Sequence, residues 1–403
     1  MRMAYKCRAY PDPEQQALIR RTFGCVRVVW NRTLAARQDR YASERKGLSY
    51  READAALTAM KRLPELAFLN EVSSIPLQQT LRHQHKAFTA FFAGRSKYPR
   101  FKSRRGRQVA HYTRSAFRWR DGDLWLAKTA APLRLVWSWP EVDRETLRPS
   151  MVVVSRDPDG RWYVTLQVDV PGPPPPPTTS RAVGIDLGLA DFAVLSNGQR
   201  IANPRHMDRK AAQVARYQRR MARKQKGSAN RAKAAAKVAR AHRKVRAARR
   251  DFLHRHSTRL VRDYEFIAIE DLHIRGMVQN RHMAGAISDV GWGAFRTMLI
   301  YKAKRAGRRL VVIDRWFPSS KTCSACGHLL PTLGLGTRIW ECPSCRSVHD
   351  RDVNAAKNIL AAGLAVAACG GDVRHAGSTG MQSSVKQEPQ SVRAGISALA
   401  SGE

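Results

Sequence analysis

Acidic side chains are scarce in this sequence: 32 Asp and Glu stand against 72 Lys and Arg in 403 residues, a formal charge of +40. A surface so one-sided repels itself unless a polyanion is at hand, and nucleic acid is the expected partner. Also missing are an apolar run long enough to span a bilayer and a basic helix with a consistently apolar opposite face, so no membrane is expected as a partner. Met1 to Tyr10 alternates basic and apolar residues without an apolar h-region or a small-residue cleavage site. No signal peptide is read there, and the expected compartment is the cytoplasm. Cysteine is sparse too: of seven, four fall in two Cys-x-x-Cys pairs, which in a reducing compartment argues for metal binding over disulfides. The scattered Cys7, Cys25 and Cys369 read as small buried hydrophobes. What is present, 43% hydrophobic residues, fits a globular chain of two or three domains.

Tyr5 to Tyr10 reads as a strand, and Asp12, Pro13 and Gln15 as a helix start with a reciprocal capping side chain. Leu18, Phe23, Val26, Trp30 and Leu34 recur at helical spacing, as do Leu77, Leu81, Phe88 and Phe92, so the first hundred residues are mostly helical. Gly94 to Arg107 is basic, and Lys97, Tyr98, Arg100, Phe101, Lys102, Arg104 and Arg105 combine cations with aromatics. That pairing suits phosphate neutralisation and base stacking; the bland alternative is a solvated loop whose aromatics tuck into the core. From Phe117 to Val170 the pattern turns to strands, with a hairpin across Asp157-Pro158-Asp159-Gly160, and together with the opening strand these could close a small β-barrel.

Residues 171–180 form a stiff Pro-rich linker. Two strands joined at Ser196-Asn197-Gly198 come next, then a helical region from Pro204 to Arg262 broken near Gly227-Ser228. About twenty Lys and Arg there face only Asp208 and Asp251, with a thin apolar stripe; so one-sided a charge favours lying along a nucleic-acid backbone, and Arg219, Arg220, Arg223, Lys224, Arg243 and Lys244 are candidate contacts. The residues after Gly370, rich in Gly, Ser and Gln, read as disordered.

Asp186 interrupts an apolar strand, Ala182-Val183-Gly184-Ile185-Asp186-Leu187-Gly188, and a buried carboxylate requires a partner or a metal. Glu270 ends a second such strand, Phe266-Ile267-Ala268-Ile269-Glu270. Side by side in one sheet the two acids would demand cations. A third motif, Asp350-Arg351-Asp352-Val353-Asn354, opens a helix; there Asp350 is also explained as a cap and Asp352 as a dipole partner. In order, strand Asp, strand Glu and helix Asp make an arrangement that holds two Mg2+ for phosphodiester hydrolysis. One ion activates water and the other stabilises the leaving oxygen, about 4 Å apart across a shared carboxylate. Asp186 takes the bridging role, Glu270 the first metal and Asp352 the second. Cys323, Cys326, Cys342 and Cys345 have the spacing of a closed tetrahedral structural Zn2+ site, with His328 and His349 as bystanders. This module lies between the second and third acids, so its folding helps to place Asp352.

These residues resemble the TnpB family, the OrfB proteins of bacterial insertion sequences and relatives of type V CRISPR effectors, over nearly the whole chain. The resemblance rests on Gly184-Ile185-Asp186-Leu187-Gly188, Ile269-Glu270-Asp271-Leu272, Ser319-Ser320-Lys321-Thr322-Cys323-Ser324-Ala325-Cys326-Gly327 and Asp350-Arg351-Asp352-Val353-Asn354-Ala355-Ala356. Thr22-Phe23-Gly24-Cys25, Trp30-Asn31 and Lys97-Tyr98-Pro99-Arg100-Phe101-Lys102 add to it. It implies an α+β multidomain fold: an RNase H-like (RuvC-like) α/β nuclease domain with an inserted zinc finger, and a β-barrel wedge domain with an inserted helical recognition domain.

Residues 1–10 would be the first wedge strand, 11–110 the recognition domain, 111–170 the rest of the barrel and 181–318 the nuclease domain with a basic helical pair at 204–262. The zinc finger would take 319–349, a nuclease C-terminal helix 350–370 and the tail 371–403. The resemblance also implies a guide RNA from the transposon end and cleavage of double-stranded DNA beside a short motif; the sequence leaves the oligomeric state open, with a monomer carrying one RNA as the expectation. The family pattern puts the third acid two residues before Asn354, at Asp352. Polar residues among Ser73, Ser74, Gln78, Gln79 and Thr80 would read the adjacent motif. Two other classes fit in part: a binding regulator that never cuts, and a guide-independent RNase H-like transposase. A plasmid-cleavage assay with bound RNA and magnesium separates off the first, and ribonuclease treatment the second.

Overall fold

A computed structural model of the chain describes residues 2–104, 106–171, 176–334 and 336–368; the expectations for Arg105, Cys369 and the 371–403 tail lie outside the described residues. The chain divides into two units, Met1–Pro175 with Pro204–Phe252, and Pro176–Asn203 with Leu253–Glu403.

In the first unit β1 (Arg2–Tyr10) leads into α1 (Pro13–Glu44). Asp12 Oδ1 accepts from the Gln15 amide at 2.8 Å and Gln15 Oε1 from the Asp12 amide at 3.2 Å, so two otherwise unpaired donors at the helix start are satisfied. Helices α2 (Tyr50–Met60) and α3 (Ser74–Phe92) pack with α1 around Cys25, Val29, Leu57, Leu69, Leu77 and Leu81. The strands are β2 (Gln108–Thr113), β3 (Phe117–Arg120), β4 (Asp123–Leu126), β5 (Arg134–Val136), β6 (Pro149–Arg156) and β7 (Trp162–Asp169). Along β7, Trp162, Val164, Leu166 and Val168 alternate inward and join Tyr5, Phe23, Val152 and Val154 in a second core. The β6–β7 hairpin turns through Asp157–Gly160, where Gly160 takes φ 89°.

The sheet runs β2-β6-β7-β1-β5 and stops there, so the barrel expected from the sequence does not close among the described residues. Strand β5 is too short to carry the ladder round, pairing only with Arg8 to Tyr10, while β3 and β4 pair with each other as a separate ribbon. Two basic helices follow later in the chain, α4 (Ala211–Ala222) and α5 (Ala229–Asp263), with Gly227 at φ 91° between them. Only Val214 of α4 is buried, and the part of α5 in this unit buries Ala241, Val245 and Phe252.

The second unit is built on a sheet of β8 (Ala182–Asp186), β9 (Asp191–Leu195), β10 (Arg200–Ala202), β11 (Phe266–Glu270) and β12 (Arg309–Ile313), in the order β10-β9-β8-β11-β12. Strand β9 runs antiparallel to β8 and β10, while β11 runs parallel to β8 and β12. Between β11 and β12 lie α6 (Ile274–Met277), α7 (Ala284–Val290) and α8 (Trp292–Arg305). A ribbon of β13 (Ile339–Glu341) and β14 (Val348–Asp350) runs straight into α9 (Arg351–Ala368), whose Ile359 packs on Phe266, Ala268 and Val311.

Candidate active site and metal module

Parallel pairing sets Ile185 beside Ile269, so the next residues, Asp186 and Glu270, end adjacent strands at the same edge of the sheet. Helix α9 brings Asp352 to that edge because it lies unusually close to β8 and β11. A Cβ on Gly184 would sit 2.0 Å from the Ala356 carbonyl oxygen, and one on Gly363 would sit 2.6 Å from Ala268 Cβ. Glycine in a strand is here a site of backbone approach. Burial, then the charges of Asp352 and Glu270, push the Asp186 carboxyl up from its ordinary 3.8 to about 7. Glu270 is raised as well, by burial and then by Asp271. Asp271 is moved up by burial but more strongly down by Arg296 and Arg315, both of which bind it, and it ends below the usual range. Of these neighbouring acids one is neutralised by guanidinia, whereas Asp186 and Glu270 make no ion pair among the described residues.

Asp350 Oδ1 accepts from the amides of Asp352 and Val353 at 3.1 and 3.0 Å, the capping role anticipated for it. Its other oxygen is 2.7 Å from Arg200, which also binds Asp191 at 2.7 Å and lies 3.7 Å from Asp352. Arg338 approaches Asp352 at 3.5 Å. Neither arginine was foreseen from the sequence: Arg200 comes from a distant stretch of chain, and Arg338, 14 residues upstream, is brought over by the β13–β14 ribbon.

The four cysteines come together: Cys323 Sγ lies 3.6 Å from Cys345 Sγ and Cys326 Sγ 3.7 Å from Cys342 Sγ. Among the described residues they are the one group of three or more metal-ligating side chains whose ligand atoms all lie within 4.8 Å of one another. The three acids interact electrostatically without converging to that separation. A tetrahedral tetrathiolate with ~2.3 Å Zn–S bonds has sulfur–sulfur edges of about 3.8 Å, so the cluster fits a structural zinc. Both knuckles turn alike, with Gly327 and Arg346 at φ 78° and 62° and their amides donating to the carbonyls of Cys323 and Cys342, at 2.9 Å each. His349 is no bystander in contact terms, as its Nε2 is 3.0 Å from Cys323 Sγ. The module is hooked to α9 by two buried amides: Asn354 Nδ2 donates to the Thr322 carbonyl at 2.7 Å and Oδ1 accepts from the Ser324 amide at 2.9 Å, while Asn358 Nδ2 donates to Thr322 and Ser319 at 2.6 and 2.8 Å.

Of the candidate nucleic-acid contacts in the first unit, Lys97, Arg100, Phe101, Arg104, Arg219, Arg220, Arg223, Lys224 and Lys244 are exposed. Tyr98 is exposed as well, though its ring makes T-shaped contacts with Phe88 and Phe91. Others are engaged internally. Lys102 lies 3.9 Å from the Trp30 ring centre while Asn31 binds its backbone. Burial pulls the Lys102 ammonium down to about 8. Arg243 turns inward to Asp159 at 2.6 Å, a carboxylate with 1% of its side chain exposed, and Arg246 binds Asp157 at 3.0 Å. Of the candidate motif readers, Gln79 and Thr80 are buried, whereas Ser73, Ser74 and Gln78 remain partly exposed.

Three family models match the chain: "Helix-turn-helix domain" over residues 1–46, where the structure has β1 and α1, "Probable transposase" (the OrfB protein of IS605) over 165–281, and "Cas12f1-like, TNB domain" over 292–359. Over 403 residues, 99% of each chain, the sequence is 53% identical to a protein of Streptomyces pristinaespiralis provisionally named an RNA-guided DNA endonuclease. This chain belongs to the OrfB/TnpB family. This OrfB/TnpB protein is also 30% identical to InsQ of Escherichia coli K12, which bears the same provisional name, over 387 residues covering 91% of this chain and 94% of that one. It shares its mixed α+β multidomain fold with the Cas12f1 chain of a cryo-EM structure of a Cas12f1–sgRNA–target DNA complex. There the TM-score is 0.56 at 14% identity, covering 89% of this OrfB/TnpB chain and 98% of the other.

Proposed function

We propose that this protein is an RNA-guided DNA endonuclease of an insertion sequence, cutting double-stranded DNA beside a short motif with a guide RNA from the transposon end. The observation that carries the reading is that Asp186 and Glu270 end adjacent strands at one sheet edge, close enough to Asp352 that burial and then the charges of Asp352 and Glu270 raise the Asp186 carboxyl to about 7. A sheet in which β8, β11, β12 and β10 run one way and β9 alone runs against them supports a RuvC-like, RNase H-like core. Asp186, Glu270 and Asp352 would hold two Mg2+, with Asp186 shared; when bound, the pair supplies water activation and stabilisation of the leaving oxygen. Asp350 caps α9 and so fixes the turn that carries Asp352, while Arg200 and Arg338 balance its charge. The cysteines would hold one structural Zn2+ that keeps the start of α9 in place. Pairing between guide and target would read sequence, the exposed cations of α4 and α5 and of residues 97–104 would track phosphates, and Ser73, Ser74 and Gln78 are the best-placed motif readers. Among the described residues no helix is long and apolar enough to cross a membrane.

The test is cleavage of plasmid carrying a match to co-purified RNA, in Mg2+. Wild-type protein should linearise it and Asp186→Ala should bind the RNA without cutting; cutting by the variant refutes the assignment, and cutting after ribonuclease treatment refutes guide dependence.

A further inference from the structure

We propose that Trp316 is a stacking platform for an unpaired base of the DNA strand that reaches the acids, an inference that rests on the nuclease reading above. Trp316 is 84% exposed, more than any other large apolar side chain described. Its loop is nonetheless held. The Trp316 amide donates to Asp314 Oδ1 at 2.7 Å, the Phe317 amide donates to the Asp314 carbonyl at 3.2 Å, and Phe317 packs on the Phe266, Ile313 and Ile359 core. One residue before the indole, Arg315 is bound to Asp271. Fixed backbone with a ring that meets no other ring and no cation among the described residues is a prepared surface without its ligand.

Its place narrows the ligand. Ile313 is paired with Glu270 in the β11–β12 register, and Trp316 follows three residues later, so its loop leaves the sheet at the edge where Asp186 and Glu270 end. Two guanidinia, Arg296 and Arg315, share the carboxylate of Asp271, and Arg315 directly precedes the indole in the chain, so a cation stands one residue from the ring. Indole plus cation is the pairing that holds a single strand, stacking the base and neutralising the phosphate. A base inside a duplex already has its neighbours and offers no free face. A second copy of this chain carries the same charge of +40 and would be repelled.

The probe is a single-stranded oligodeoxynucleotide carrying 2-aminopurine, whose fluorescence falls when it stacks on an indole, added to the full chain with its co-purified RNA in the Asp186→Ala background. The expected result is quenching that Trp316→Ala largely removes, with affinity for the strand weakened about tenfold, the range for one stacked base; Trp316→Phe should keep part of both. Duplex DNA of the same sequence should bind both forms alike. Unchanged quenching and affinity in Trp316→Ala would overturn the proposal, as would an effect confined to an oligoribonucleotide of the same sequence. Because the ring is exposed, Trp316→Ala should melt with the parent. Quenching by Trp316 in a protein whose wild type never cuts would sink the nuclease reading and leave the stacking site standing, so the two failures are distinct.

Discussion

Gly184 lies so close to Ala356 that a methyl group on its Cα would come within 2.0 Å of the Ala356 carbonyl oxygen. Atoms do not approach so near, so any side chain here must push α9 off the sheet. Gly184→Ala should therefore lower stability by about 2–3 kcal/mol, the upper range for overpacking, and remove cleavage while RNA binding by the first unit persists. Thermal melts and the plasmid assay check both. An alanine variant that melts and cuts like wild type would show that α9 has room to spare.

The raised Asp186 carboxyl has a pH signature. The folded chain keeps this proton up to about pH 7, whereas an unfolded chain loses it near 3.8. Between those values the folded state carries the extra proton, so in Mg2+-free buffer stability should fall as pH rises from about 4 to 7. Asp186→Asn cannot ionise and should flatten that part of the profile, becoming the more stable form at pH 7 to 8. Melting temperature against pH for the two proteins is the measurement.

The cysteine module and α9 should fail together. Cys342→Ser is expected to release zinc, measured by elemental analysis, and to raise hydrogen exchange in both 319–349 and the first turns of α9, leaving the first unit protected. Asn354→Ala keeps all four thiolates but strands the Ser324 amide, while the Thr322 carbonyl keeps only its bond from Asn358. It should cost about 1–3 kcal/mol and diminish cleavage while zinc stays at one per chain.

Arg243 and Lys244 are neighbours with opposite assignments. Arg243 is paired to a buried Asp159, so Arg243→Gln or Asp159→Asn should destabilise the first unit by about 2–3 kcal/mol, less than a fully buried pair because Arg243 keeps some exposure. Lys244 is exposed, and Lys244→Gln should leave the melt unchanged while making RNA binding less sensitive to salt. A double-mutant cycle and salt titrations separate the two.

What the sequence disclosed was local. The Asp12–Gln15 capping box, the apolar strands that end in Asp186 and Glu270, and the two Cys-x-x-Cys knuckles are each written within a few residues, and each forms in the structure. Partners far apart in the chain were not legible. Arg200 meets Asp350 across 150 residues and Arg243 meets Asp159 across 84, and nothing in a run of basic residues tells which one turns inward. The open first sheet has the same origin: alternation shows that β3, β4 and β5 are strands, but not that β3 chooses β4 and leaves the ladder unclosed. Gly184 and Gly363 stood in plain view as glycines inside a strand and a helix, hinting at a close approach without naming what approaches.

The site's third carboxylate arrives on α9, after every strand of the sheet that supports it has been made. During synthesis the nascent chain thus holds two acids and no third, and α9 must clear the ribosome, reach its glycine-lined seat and be fastened by Asn354 before the set is complete. On the nuclease reading, a protein that carries so much positive charge near nucleic acid would stay unable to cut until α9 has been made and seated.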